Sequence, residues 1–155
     1  MRRRAALCIP ALVAALALGA CEGDSTGADE DFRDCPIHTT TIGTVEAGVI
    51  GPGSCEVEIE GQVKYVEVYL FQLTTTRIVG ASLLAADDEL DPYLYLYNEN
   101  GVLLAENDDY DVDTLDAAFL QQLPAGEYFL VASSLSTSAE APDDHGQYLL
   151  ETEFF

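Results

Sequence analysis

The chain has 155 residues, of which 28 are acidic, six basic and two histidine, giving a formal charge of −22 at neutral pH. Nucleic acid and anionic lipid headgroups are bound by clustered lysine and arginine, so this balance argues against both as partners. Cation binding, a salt-rich habitat and simple solubility all remain compatible with it.

The chain opens with Arg2, Arg3 and Arg4, and an uncharged, mostly apolar run follows from Ala5 to Leu18. That run fits the core of a signal peptide and is short for a helix that spans a bilayer. It ends Leu18-Gly19-Ala20-Cys21, which resembles the lipobox of bacterial lipoproteins. The resemblance implies that residues 1–20 are removed and that the Cys21 thiol carries a diacylglyceryl group, usually with acylation of the freed amine as well. More than one acyl chain is what stable anchoring requires. The expected location is the cell envelope, exported and held to a membrane through lipid on Cys21, on the periplasmic face or the cell surface. Cleavage would leave Arg33, Lys64 and Arg77 against the 28 acidic residues, a formal −25.

Of the four cysteines, Cys8 falls in the leader and Cys21 takes the lipid. Cys35 and Cys55 remain, and in an oxidising compartment they most simply form one disulfide. A two-cysteine metal site is a poor rival, since neither His38 nor His145 has a partner at zinc-finger spacing. Residues 22–34 are small and acidic without apolar periodicity. Residues 21–40 therefore read as the lipidated cysteine and a flexible tether, and 41–155 as one domain with its own core.

Strand signals dominate that domain. Val57 to Glu60 alternates as a half-buried strand should. Tyr65 to Leu73 is β-branched and aromatic, and too apolar on both faces for an edge strand. Arg77 to Leu84, Tyr93 to Tyr97 and Val102 to Ala105 follow, then Ala117 to Leu123, Tyr128 to Ala132 and Tyr148 to Phe155. Turn chemistry separates them at Asn98-Glu99-Asn100-Gly101, Leu123-Pro124-Ala125-Gly126 and Pro142 to Gly146. Val112 to Gln122 is the one tempting helix, but its apolar residues hold no long helical stripe, and it is read as extended. Seven to nine short strands without alternating helices predict an all-β antiparallel sandwich of jelly-roll type.

Leu90-Asp91-Pro92-Tyr93-Leu94-Tyr95-Leu96-Tyr97, then Asn100-Gly101 and Leu104 to Asp109, resemble the centre of the bacterial pre-peptidase C-terminal domain. Leu123 to Val131 and Gly146 to Leu150 are similar to its two final strands, so the resemblance covers roughly 56–155. It implies a jelly-roll sandwich that serves as a non-catalytic module on secreted peptidases. Some relatives bind polymeric substrate, and collagenase relatives bind calcium. This chain departs from that setting, because no peptidase domain precedes the module and the acidic calcium segment of the collagenase relatives has no residue-by-residue match.

No Gly-x-Ser-x-Gly elbow, His-Glu-x-x-His or glycine-rich phosphate loop occurs. His38 and His145 lack a recognisable nucleophile nearby in sequence and read as surface histidines, so the chain is taken as a non-enzyme. Two acidic segments are the sharper candidates. If residues 98–101 turn a hairpin, Asp91 comes to lie opposite residues 108–110, and Asp91, Asn107, Asp108 and Asp109 become candidate ligands for calcium. Asp109, Asp111 and Asp113 alternate as in an EF-hand, but the loop lacks that motif's glycine and final glutamate. Tyr93, Tyr95 and Tyr97 share one face of their strand, with Leu94 and Leu96 turned to the core. The rings form either a platform for an extracellular polymer or protein, or a sheet-stabilising ladder buried beneath a loop. The expectation is a lipid-anchored, non-catalytic sandwich that binds a polymer, a protein partner or calcium. A purely structural envelope lipoprotein is the alternative, and an enzyme of unfamiliar design a more distant one.

Overall fold

In the computed structural model the described residues are 31–87, 89–111, 113–137 and 145–155. A short 3-10 turn at Phe32–Asp34 is followed by ten strands: β1 (Ile37–Thr39), β2 (Val45–Ile50), β3 (Cys55–Ile59), β4 (Gln62–Leu73), β5 (Arg77–Ala85), β6 (Pro92–Asn98), β7 (Leu103–Asn107), β8 (Ala117–Leu123), β9 (Gly126–Ser134) and β10 (Gly146–Phe154). One sheet runs β1-β4-β9-β6-β7, with β3 also paired to β4, and the other runs β2-β10-β5-β8. All pairings are antiparallel except the short one between β1 and β4. This is the expected all-β sandwich, with ten strands where seven to nine were expected.

Eight of the ten strands fall where sequence alternation puts them. β4 lies inside its sheet, between β9 on one side and β1 and β3 on the other, as its two apolar faces require. Ala117–Leu123 is extended, not helical. β1 and β2 are the additions. β1 has only three residues. β2 contains Ala47 and Gly48, both weak strand formers, and its outward residues are the apolar ones, with Val45 and Val49 58% and 56% exposed. Pairing with β10 along residues 45–50 makes it a strand.

The main core fills the space between the sheets. Leu94, Leu96, Leu130 and Phe71 from one sheet meet Leu83, Leu123 and Leu150 from the other, all essentially inaccessible to water. Leu94 and Leu96 thus face the core as the strand period predicts. A second cluster covers the opposite face of the larger sheet, where Val66, Val68, Tyr95, Tyr97 and Val131 pack beneath Phe32, Cys35 and the β3 residues Val57 and Ile59. The packed part of the chain therefore reaches back to Phe32, inside the stretch 21–40 that reads as tether. The Cys35–Cys55 disulfide, with Cα atoms 5.7 Å apart, ties that segment to the start of β3.

Candidate functional site

A broad groove of about 850 Å3 opens at the edge of the sandwich where β1 and β2, the edge strands of the two sheets, come together. His38 and Thr39 of β1, Glu46 to Val49 of β2, the 51–54 turn, Glu67 and Tyr69 of β4, and His145 line it. Both histidines of the chain are therefore in one place, although 107 residues separate them in sequence.

Local packing sets each group. β1 runs parallel to β4 with His38 beside Tyr69 in the register. The imidazole lies 5.4 Å from the Tyr69 ring and its Nε2 is 3.2 Å from a Glu67 carboxylate oxygen. About half of the His38 side chain remains exposed, at 54%. Glu46 is held by the Thr40 hydroxyl, which donates to its Oε1 at 2.8 Å. Two glycines let the floor form. A Cβ on Gly48 would overlap the Tyr148 hydroxyl, and one on Gly51, at φ 154°, would come within 2.8 Å of the His145 Cβ. Tyr148 thereby reaches across the core to Tyr69, with the two hydroxyl oxygens 2.7 Å apart. Burial raises both phenol pKa values, so the floor stays neutral at ordinary pH. The His145 Nδ1 is buried with no hydrogen-bond partner among the described residues.

The groove thus offers two imidazoles and two carboxylates, flanked by the apolar surfaces of Val49 and Pro52. It can exchange hydrogen bonds in both directions and accept positive charge. Ser54 does not face an imidazole as a nucleophile would. Its hydroxyl donates to the Val49 carbonyl and accepts from the Gly51 N–H.

The sites expected from sequence are placed differently. Asn107 pairs with Leu94 at the end of the β6–β7 ladder, so the hairpin register is close to the one anticipated. The ladder stops there, before Asp91. Asn107 spends its amide oxygen on the Ala118 N–H at 3.1 Å, and Asp108 accepts from the Asp109 N–H at 3.0 Å. Among the described residues no three His, Cys, Asp or Glu side chains are gathered where one metal ion could be held. Of the four residues expected as calcium ligands, Asn107 and Asp108 thus each direct one side-chain oxygen to a nearby backbone N–H.

Of the two readings of the tyrosine face, burial describes Tyr95 and Tyr97. Tyr95 and Tyr97 are 2% and 8% exposed, stacked with Tyr93 and covered by the Phe32 ring at 4.5 Å from that of Tyr97. Tyr93 receives the Lys64 ammonium 5.0 Å above its ring, and the same ammonium donates to the Ser134 and Leu135 carbonyls. Tyr95 and Tyr97, covered in this way, stabilise the sheet, while Tyr93 is half-buried. Cys21 lies outside the described residues.

No family model matches the sequence, and no curated protein does either. Solved structures do match. The pre-peptidase C-terminal domain of a collagenase from Bacillus anthracis aligns with TM-score 0.56 and 14% identity over 76% of this chain and 95% of that one. A periplasmic inhibitor of g-type lysozyme from Aeromonas hydrophila aligns with TM-score 0.46 and 10% identity, over 77% and 100% of the two chains. A surface-associated copper-binding protein of Methylomicrobium album gives TM-score 0.48 and 12% identity, over 77% and 98%. At these identities the likeness is one of fold, and the described chain has the fold of a pre-peptidase C-terminal domain.

Proposed function

We propose that this chain is an exported, lipid-anchored binding module, non-catalytic, which holds a polymer or protein partner in the groove between β1 and β2. The groove is the observation that carries the reading. It is large enough for a chain segment or a small ligand, and it gathers polar groups that elsewhere are spent on the fold. The disulfide supports export, since such bonds persist in oxidising compartments. The Leu18-Gly19-Ala20-Cys21 box supports the anchor. Among the described residues no helix is long and apolar enough to cross a membrane.

One observation favours a second reading, hydrolysis. The His38–Glu67 contact at 3.2 Å has the form of a general base with its orienting carboxylate. Against it stand the exposure of His38, the engagement of Ser54 within its own turn, and the neutral, mutually bonded Tyr69 and Tyr148.

The test has two parts. Intact mass of the protein from the membrane fraction should show an acylated Cys21 as the first residue. The full chain should co-sediment with at least one insoluble envelope or extracellular polymer from a set of peptidoglycan, chitin, cellulose and collagen. Paired His38→Ala and His145→Ala changes should abolish that binding without altering the melting temperature. An unmodified N-terminus found free in the medium would refute the anchor. Turnover of a polymer that His38→Ala stops would replace binding with catalysis.

A further inference from the structure

We propose that the free edge of β8, with the hollow beside it on the outer face of the four-stranded sheet, docks an extended polypeptide segment carrying alternating apolar and basic side chains. Among the described residues β8 pairs with β5 alone and ends its sheet. An unpaired edge is a template for another strand, and proteins usually blunt it with charge, proline, a bulge or extreme shortness. β8 shows none of these. Ala117-Ala118-Phe119-Leu120-Gln121-Gln122-Leu123 has no charged residue and no proline in a chain with 28 acidic ones. Its register with β5 runs unbroken, and at seven residues it is longer than β1, β2, β3 or β7, the other strands paired on one side only.

The edge also shows how a partner strand would engage. The Ala118 N–H donates to the Asn107 amide oxygen, so at Ala118 the backbone is turned away from β5. Strand backbones alternate, and Leu120 and Gln122 therefore offer their N–H and C=O groups on that same open side. Asn107 already stands where the first residue of a neighbouring strand would.

Beside this edge lies a hollow of about 510 Å3, lined by Leu84, Leu120, Tyr110 and Phe155 around Gly80 and Ser82. Tyr110, Leu120 and Phe155 are 71%, 60% and 64% exposed, unusually open for large apolar groups gathered in one place. Gly80 carries no side chain because the Phe155 ring rests against it. Asp116 and Glu153 stand in the lining, and no lysine or arginine does. An extended segment added to β8 sends alternate side chains over the sheet face, where apolar ones fill the hollow. The basic residues between them, turned to the other side of the added strand, answer the net charge of −22. That same charge disfavours a second copy of the chain and an anionic membrane as occupants.

The probe is a labelled peptide of alternating lysine and valine, with oligolysine and alternating glutamate and valine as controls. Anisotropy with the full chain should show the lysine–valine peptide binding at least about tenfold more tightly than either control. Gln122→Pro removes an edge N–H without changing charge, at a position where a free edge tolerates proline, and should weaken binding by about tenfold or more. Leu120→Ser should do likewise and carries the test if the proline variant does not fold. Absence of binding, equal binding of oligolysine, or binding unchanged in both variants would overturn the proposal. A dimer of the full chain that Gln122→Pro dissociates would also overturn it, by assigning the edge to a second copy.

Discussion

The Tyr69 and Tyr148 hydroxyls meet at 2.7 Å inside the core, joining β4 of one sheet to β10 of the other. This polar contact underlies the groove, and Gly48 exists as glycine to make room for it. Tyr148→Phe leaves the Tyr69 hydroxyl buried without its partner and should cost about 1–3 kcal/mol of unfolding free energy. Replacing both tyrosines with phenylalanine should cost less than the sum of the single changes. Gly48→Ala should destabilise by roughly 1–3 kcal/mol, because the added methyl overlaps Tyr148. Urea denaturation of the three variants and the double mutant checks all of these.

Alkaline pH should unfold the protein through its buried phenols. Burial, reinforced by Glu106, pushes Tyr93 and Tyr97 up to about 12, and burial raises Tyr95 and Tyr148 as well. Their folded values lie above the unfolded value of about 10, so the unfolded chain releases protons more readily. Stability should be constant with respect to these groups below about pH 10, then fall as pH rises toward 12 and beyond. Melting temperature followed together with tyrosinate absorbance should show the last tyrosines to ionise doing so as the chain unfolds. Ionisation of all eight tyrosines near pH 10 in a chain that stays folded would show that the tyrosine face is open to water.

Reducing the Cys35–Cys55 bridge should loosen the cover over those same tyrosines. The bond closes a twenty-residue separation, and the loss expected from chain entropy is roughly 3 kcal/mol. Phe32, stacked on Tyr97, should become mobile first. Hydrogen exchange with and without reductant should show the protection loss concentrated at Phe32 to Thr39 and in β3. Unchanged exchange there would mean that Phe32 packing alone holds the segment.

Side-chain oxygens of the acidic loops should divide by what they bond. Asp116 accepts from the Ala85 N–H and Asn107 from the Ala118 N–H, each a tie between strand ends. Asp116→Ala and Asn107→Ala should each cost about 1–2 kcal/mol, whereas Asp109→Ala, at an exposed position, should cost under about 0.5 kcal/mol. Thermal melts with calcium against sodium at matched ionic strength should show no calcium-specific stabilisation that Asp109→Ala removes.

Period and turn chemistry made most of the fold readable in advance. Leu94 and Leu96 alternate with tyrosines and enter the core, and Tyr65 to Leu73 is apolar on both faces because both faces are covered. β1 and β2 were not readable. One is too short to show a period, and the other turns Val45 and Val49 outward. Their loss hid the groove, since His38 and His145 meet only once β1 lies along β4 and β2 pairs with β10. The tyrosine face misleads for a related reason: Phe32 covers it from a stretch whose acidic composition reads as tether. In the acidic loops, composition shows the carboxylates and amides but not where they point: Asn107 turns to the Ala118 N–H and Asp108 to the Asp109 N–H.

Ring resonances of the two histidines report directly on a ligand in the groove, because both imidazoles lie there and the chain has no others. Soluble fragments of peptidoglycan, chitin, cellulose and collagen would be titrated into the isotopically labelled full chain. One of these ligands should shift the His38 and His145 signals together, with a single saturating affinity that Glu67→Gln weakens. Binding that moves backbone signals elsewhere while both imidazoles stay fixed would contradict it.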